Sequence, residues 1–224
     1  MNLRSRSSLS TILLVAVASA LVMLCTSPQP VDGATKQRPL HERYKNLCGA
    51  STKISRKHEK QLRWLVQNVG DGALTLSTSP QHEAACWMIR ENKWSVQRFV
   101  LGAFYYGTKG LNWDINTDWM THKHECSWYG VKCNGFKKVT GLDLGFIKVD
   151  GIIPREIGLL TGLEDLDLHG NDLQGVIPHK LMAGLRNLKY LRLHMNGMFG
   201  GKFTVHIFCR RLMMNRFIYI ELTG

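Results

Sequence analysis

Two groups of side chains in this sequence have the types and spacing that metal binding or acid–base chemistry would use. His122, His124, Cys126 and Cys133 bring two imidazoles and two thiols together within one short stretch, the donor set of a structural zinc centre. The spacing argues the other way, because such centres usually separate paired cysteines by about two to four residues, and the stretch between Cys126 and Cys133 is longer. An oxidising compartment also disfavours thiol ligands, and without a metal His122 and His124 are ordinary loop residues. The second group pairs Asp143 and Asp167 with His169. Carboxylates beside an imidazole could support hydrolysis, yet no nucleophile, base and orienting group can be traced as a set. The sequence therefore points away from an enzyme, and neither a resident metal nor a cofactor is expected.

Compartment is indicated by the amino terminus. Arg4 and Arg6 precede an uncharged apolar run over residues 11–25, and Pro28, Pro30 and Gly33 come after it. This is the layout of an export signal covering residues 1–33. The run is shorter than the ~20 residues that span a bilayer, which favours cleavage after Gly33 over a retained anchor with Arg4 and Arg6 on the cytoplasmic side. The protein is expected to be secreted, or membrane-anchored with its folded part outside the cytoplasm. Of its 6 cysteines, Cys25 would leave with a cleaved signal. The odd number remaining means that one among Cys48, Cys86, Cys126, Cys133 and Cys209 stays single or pairs with another chain.

The formal net charge is +12, but much of it is local. Lys36, Arg38, Arg43, Lys45, Lys53, Arg56, Lys57, Lys60 and Arg63 face only Glu42 and Glu59. Residues 34–78 thus read as a basic stem, separate from the rest of the chain. A solvated linker or helix face is its plainest role, and contact of the 36–63 segment with an anionic surface is the alternative. Nucleic acid is not an expected partner, because the export signal disfavours it and no nucleic-acid-binding motif is present.

Within the stem, Ile54, Leu62, Leu65, Val66 and Val69 recur at helical spacing, and Gly70 stops the helix. Residues 70–78 are expected to be a connector. Ser79-Pro80 reads as N-cap and first helical residue of another helix, with Ala84, Trp87 and Met88 inward. A third helix is expected over residues 96–106, with Phe99, Val100, Ala103 and Phe104 inward. Residues 79–138 make a helical cap.

Self-similarity decides the fold. Starts at Val139, Leu163 and Leu188 are spaced by intervals within the ~20–29 residues of leucine-rich repeats. Val139, Leu142 and Leu144 align with Leu163, Leu166 and Leu168, then with Leu188, Leu191 and Leu193. Each set should enter one core from a short parallel strand. Asn171 and Asn196 stand where the chain bends out of the strand, and a buried amide there can satisfy orphaned backbone groups. Ile147 replaces that Asn in the first repeat, which predicts a weaker turn. The expected fold class is α/β: a short leucine-rich-repeat solenoid over residues 139–203, its parallel strands on the concave face, behind a helical, disulfide-stapled N-terminal cap. Residues 204–224 form an atypical tail: either it folds over the open apolar edge of the last repeat, or, as its lack of a cap pattern favours, the chain is a fragment or misjoined form of a longer repeat protein.

Side chains between the inward leucines must face outward. Asp143, Glu164, Asp165, Asp167, His169, Lys189, Tyr190, Arg192 and His194 make up this ligand-binding candidate. Stacking of successive strands puts Asp143, Asp167 and Arg192 in one column and sets His169 beside His194. Like charges aligned across strands are unfavourable unless Arg192 or a cationic ligand compensates. Tyr190 and Arg192 are the expected anchors. A carboxylate at the inward Leu166 should unfold the repeats, whereas a change at the outward Asp167 should be mild.

Gly151-Ile152-Ile153-Pro154 and Gly175-Val176-Ile177-Pro178 resemble the G-x-I-P element of plant-type extracellular leucine-rich repeats, found in the ectodomains of receptor-like proteins and kinases. The stretch CSWYGVKC from Cys126 to Cys133 resembles the amino-terminal cap of those proteins. The resemblance implies that Cys126 and Cys133 form a disulfide and that Trp128 covers the end of the core. The residues before it, SPQHEAACWM, RFVLGAFYYGTKGLNW and Trp119, look similar to secreted or membrane-anchored leucine-rich-repeat proteins of diatom-like algae. The implied role is recognition, outside the cytoplasm, of a protein, peptide or glycan partner without catalysis. The alternative is a membrane-anchored structural or adhesion scaffold whose basic stem rests on an anionic surface. The chain has no Gly-rich phosphate loop, H-R-D or D-F-G, so no kinase activity is expected.

Overall fold

The structure is a computed structural model that describes residues 38–50, 52–197 and 219–221, and the described residues from Pro39 onward form one compact unit. The expected export signal, Cys25, Cys209 and most of the tail lie outside the described residues. The fold mixes helix and strand and carries two disulfides among these residues.

The repeats supply a sheet. Strands β1 (Val131–Cys133) and β2 (Val139–Asp143) pair antiparallel with an irregularity at Lys132 and Cys133. From β2 the sheet continues in parallel through β4 (Asp165–Asp167), β6 (Tyr190–Arg192) and β7 (Tyr219–Glu221). Register follows the repeat alignment: Leu142 pairs with Leu166 and Leu166 with Leu191, while Asp143 pairs with Asp167 and Asp167 with Arg192. The inward leucines Leu142, Leu144, Leu166, Leu168, Leu191 and Leu193 are all buried in one core, each contributing roughly 1.5–3 kcal/mol by leaving water. A smaller parallel sheet of β3 (Asp150–Ile152) and β5 (Asp172–Gln174) lies beyond the bend. The tail, which shows no cap pattern in sequence, supplies through β7 a backbone neighbour for β6, with Leu191 opposite Ile220.

The asparagine bends form as expected. Asn171 Oδ1 accepts from the N–H groups of Ile147 (3.2 Å) and Val149 (2.9 Å), and its Nδ2 donates to the carbonyls of Leu144 (2.8 Å) and Leu168 (2.9 Å). Asn196 repeats the pattern one coil on, accepting from Leu173 N–H and donating to Leu168 and Leu193 carbonyls. The Ile147 turn is therefore braced from the next coil by Asn171, and from the cap by Asp114, whose N–H donates to the Ile147 carbonyl at 2.9 Å. Gly151 shows why the G-x-I-P element begins with glycine. Its φ is +136°, and a Cβ there would lie 2.4 Å from the carbonyl oxygen of Gly107.

The cap is built on helices. Preceding them, α1 (Leu40–Arg43), α2 (Glu59–Asn68) and α3 (Asp71–Thr75) occupy the basic segment. In the cap, Ser79 caps α4 (Pro80–Glu91) by accepting from His82 N–H, and Ser95 caps α5 (Val96–Gly107) by accepting from Arg98 N–H. Inside, Trp87, Trp113, Trp119 and Trp128 pack with ring centroids 4.9 to 5.9 Å apart, in the same core as the repeat leucines. Arg98 is buried among them, its guanidinium 5.1 Å from the Trp87 ring and 5.2 Å from Trp128, with Nε 3.2 Å from Glu125.

The basic segment differs from the separate stem read from sequence. It has α3 where a connector is expected, and Leu65, Val69 and Leu74 join the main core. Tyr44, Ile54 and Leu62 pack against Ile89 of α4 in a second cluster, and Cys48 is bridged to Cys86 of the same helix. Glu59 accepts from His41 and from the N–H groups of Leu40 and His41, which hold its carboxyl down to about 2. The physical reason is that an amphipathic helix must bury its apolar side, and the cap offers the surface.

Candidate functional site: the outward strand face

The outward positions of β2, β4 and β6 come together as the repeat period requires. Asp143 is paired with Lys132 of β1 at 3.0 Å, and Arg192 Nη1 reaches Asp165 at 3.2 Å and Asp167 at 3.0 Å. The aligned carboxylates are thus compensated from both flanks. Lys189 pairs with Glu164 at 2.5 Å on an exposed margin. Tyr190 is 46% exposed, and the Arg192 guanidinium lies 5.6 Å from its ring centroid, a separation within cation–π range.

His169 and His194 stack with centroids 4.8 Å apart and planes at 21°, and Phe146 meets His169 edge-on at 4.7 Å. His169 Nδ1 and its backbone N–H both face Asp167 Oδ1. A carboxylate accepts only, so Nδ1 carries the proton. The face therefore has an aromatic margin from Phe146 to His194 beside a mixed-charge centre.

Asp167 corrects one expectation. It faces away from the leucine core, yet it is only 7% exposed, because His169 and Arg192 cover it. Burial pushes its carboxyl up, but hydrogen bonds from the His169 ring and N–H, with the charges of His169 and Arg192, outweigh that and hold it below its ordinary value. A change there is therefore expected to cost more than a mild loss. It would take one of two carboxylates from Arg192 and the acceptor from the His169 ring.

The zinc reading of the other group fails in the structure. Cys126 and Cys133 are disulfide-bonded with Cα atoms 5.6 Å apart. His124 instead caps a short 3-10 turn, its Nδ1 accepting from Cys126 N–H at 3.2 Å. Glu125 is buried beside it. Burial raises that carboxyl, while its own backbone N–H, Ser95, His124 and Arg98 together bring it below the ordinary range.

Two contributors to the face escaped sequence reasoning. Lys132 lies on β1, a strand that Asn134-Gly135, following the alternation Val131-Lys132-Cys133, could have signalled as half of a hairpin. Phe146 occupies the bend position held by Gly170 and Met195 in the next coils, all at positive φ. Only the alignment of bends marks it.

No protein-family model matches the chain. Over 54 residues it is 44% identical to a receptor-like protein kinase of Arabidopsis thaliana, covering 24% of this chain and 5% of that protein. It is 34% identical over 84 residues to the leucine-rich-repeat receptor-like serine/threonine-protein kinase GSO2 of the same plant, covering 37% and 7%. With leucine-rich repeat extensin-like protein 4, also from that plant, it shares 33% identity over 73 residues, 30% of this chain and 15% of the relative. The matched stretches are thus a small part of each relative's length. Among solved structures, PEPR1–AtPEP1 is 31% identical with a TM-score of 0.35 over 39% of this chain and 13% of its counterpart. The BIR3–SERK2 complex from Arabidopsis thaliana is 26% identical with a TM-score of 0.40 over 52% and 64%. The chain is similar, over part of its length, to plant leucine-rich-repeat receptor-like proteins.

Proposed function

We propose that this protein is an extracytoplasmic recognition module, a short leucine-rich-repeat solenoid that binds a protein or peptide partner on its outward strand face and performs no catalysis. The observation that carries the reading is the surface formed by Asp165, Tyr190 and Arg192, drawn from two successive coils and left open beside the buried Asp167. An exposed aromatic ring under a guanidinium offers large contact area with directional donors, the pairing that dominates many interface hot spots. Two disulfides accord with an oxidising location, and the sequence likeness to receptor-like proteins supports recognition as the role. The likeness of the cap motifs to algal secreted or anchored proteins fits the same reading. A surface-resting scaffold is less favoured. Part of the basic segment is occupied internally, with Arg43 on Asp71 and Arg63 on Glu59.

The test begins with partners captured from an extracellular fraction and identified by mass spectrometry. Affinity of the identified partner is then measured for wild type and for a Tyr190→Ala, Arg192→Ala double variant whose thermal unfolding is checked in parallel. The expected outcome is a loss of about thirtyfold or more, the scale of a hot-spot pair. Undiminished affinity, with loss on neutralising Lys and Arg in residues 36–63, would transfer binding to the basic segment.

A further inference from the structure

The bridge between Cys48 and Cys86 fastens the segment ahead of α2 onto α4, with Cα atoms 5.2 Å apart. One of its sulfurs has an imidazole against it. His82, one turn earlier on α4, places Nε2 3.6 Å from Cys86 Sγ. The other ring nitrogen, Nδ1, is 2.7 Å from the Leu74 carbonyl oxygen. A carbonyl can only accept, so Nδ1 holds a proton and Nε2 is the nitrogen available to exchange one with sulfur. The two sulfurs also differ in access, because Cys86 is 2% exposed whereas Cys48 is half-buried. At the other bridge the contact is of a different kind: Cys126 Sγ lies 3.6 Å from the Lys137 carbonyl oxygen, which cannot stabilise a thiolate.

We propose that Cys48–Cys86 is a thiol–disulfide exchange site for low-molecular-weight thiols, attacked at Cys48 and releasing Cys86 beside His82. In the first step the electron pair of an external thiolate forms a bond to Cys48 Sγ, and the pair of the Cys48–Cys86 bond departs on Cys86 Sγ. The proton given up by the attacking thiol is returned through His82 Nε2, so that Cys86 is left as a thiol on a neutral imidazole or as a thiolate on an imidazolium. In the second step another thiol attacks the mixed disulfide at the external sulfur. That releases the Cys48 thiol and a low-molecular-weight disulfide, the two external thiols being oxidised as the protein bridge is reduced. Exchange accelerates as the leaving thiol becomes more acidic, and a neighbouring imidazolium makes a thiol more acidic. Opening the bridge leaves the segment carrying Tyr44 attached by its apolar cluster with Ile54, Leu62 and Ile89 and by the Glu59 hydrogen bonds.

The structure supplies a contrast that makes the test decisive. Cys126 and Cys133 are both half-buried, so exposure alone would open their bridge first. The full chain is treated with reduced glutathione, quenched with acid at intervals, alkylated and mapped by mass spectrometry. Cys48–Cys86 should open before Cys126–Cys133, with glutathione on Cys48 and a free thiol on Cys86. His82→Asn keeps a donor for the Leu74 carbonyl but lacks a nitrogen at the Nε2 position. It should slow opening of Cys48–Cys86 by about tenfold, on the scale of leaving-group effects in exchange, without changing the Cys126–Cys133 rate or the Tm of the oxidised protein. Glutathione on Cys86, prior opening of Cys126–Cys133, or an unchanged rate in a His82→Asn variant of wild-type Tm would each overturn the proposal. Should that variant lose stability, the order of opening in the wild-type chain decides by itself.

Discussion

Two arginine–carboxylate pairs occupy opposite situations in this molecule. In the cap, Arg98 and Glu125 are enclosed, with two tryptophan rings against the guanidinium and Ser95 on the carboxylate. On the strand face, Arg192 bridges Asp165 and Asp167 while lying near an exposed tyrosine. The chemistry is shared and the surroundings are not. A fully enclosed pair is committed to holding its own neighbourhood, whereas a pair open on one side keeps donors and aromatic surface for a partner. Burial thus separates a structural arginine from a candidate recognition arginine more sharply than residue type does.

The largest effect is expected from breaking the enclosed pair on one side. Glu125→Ala would leave a guanidinium buried without its carboxylate, a change that costs about 3–5 kcal/mol in comparable sites. Denaturant unfolding should register this as a lower midpoint. A loss no larger than that of a surface substitution would mean that water or the Thr121 and Lys123 carbonyls already satisfy Arg98, and the contrast between the two regions would collapse.

A middle effect is expected at Asp167. Asp167→Ala should cost about 1–3 kcal/mol, the range for losing hydrogen bonds to a charged group, while Asp165→Ala on the same arginine but more exposed should cost less. Acid sharpens the same comparison. Both the Glu125 and Asp167 carboxyls lie below their ordinary values in the folded state. Each therefore adds stability that is complete above the ordinary carboxylate range and is lost as pH falls through the lowered value. Stability measured from neutral pH downward should fall in acid less steeply in Asp167→Asn than in wild type. An identical acid limb would remove Asp167 from the linkage.

Whether a residue's place is legible in sequence depends on whether period or contact sets it. The leucines at 142, 166 and 191 and the asparagines at 171 and 196 are set by repetition, so alignment alone finds their register and their bends. Tyr190 and Arg192 are found by alternation along the same strands. Arg98 is not, because helical periodicity marks Phe99 and Val100 as inward but says nothing of a charged neighbour whose partner Glu125 lies on another element. Alternation also puts Asp167 on the correct face without revealing its burial, since the side chains that cover it come from a bend and from the next coil. In the basic segment the charge pattern hides the apolar side made by Leu62, Leu65 and Val69 with Leu74, so a packed element reads as a separate stem.

The smallest effect is expected at the exposed margin, where Lys189 meets Glu164. Both side chains are more than a third exposed, so water screens their attraction and ordering two long side chains offsets much of the gain. A double-mutant cycle with Lys189→Ala and Glu164→Ala should yield a coupling of about 0–1 kcal/mol, shrinking as salt is raised. The same cycle on Arg192 and Asp167 should give the larger coupling, and one less reduced by salt, because Asp167 is shielded by His169. Equal couplings with equal salt dependence would mean that the strand face is electrostatically uniform. In that case Arg192 would hold no privileged position, and partner binding would have to be sought along the Phe146, His169 and His194 margin instead.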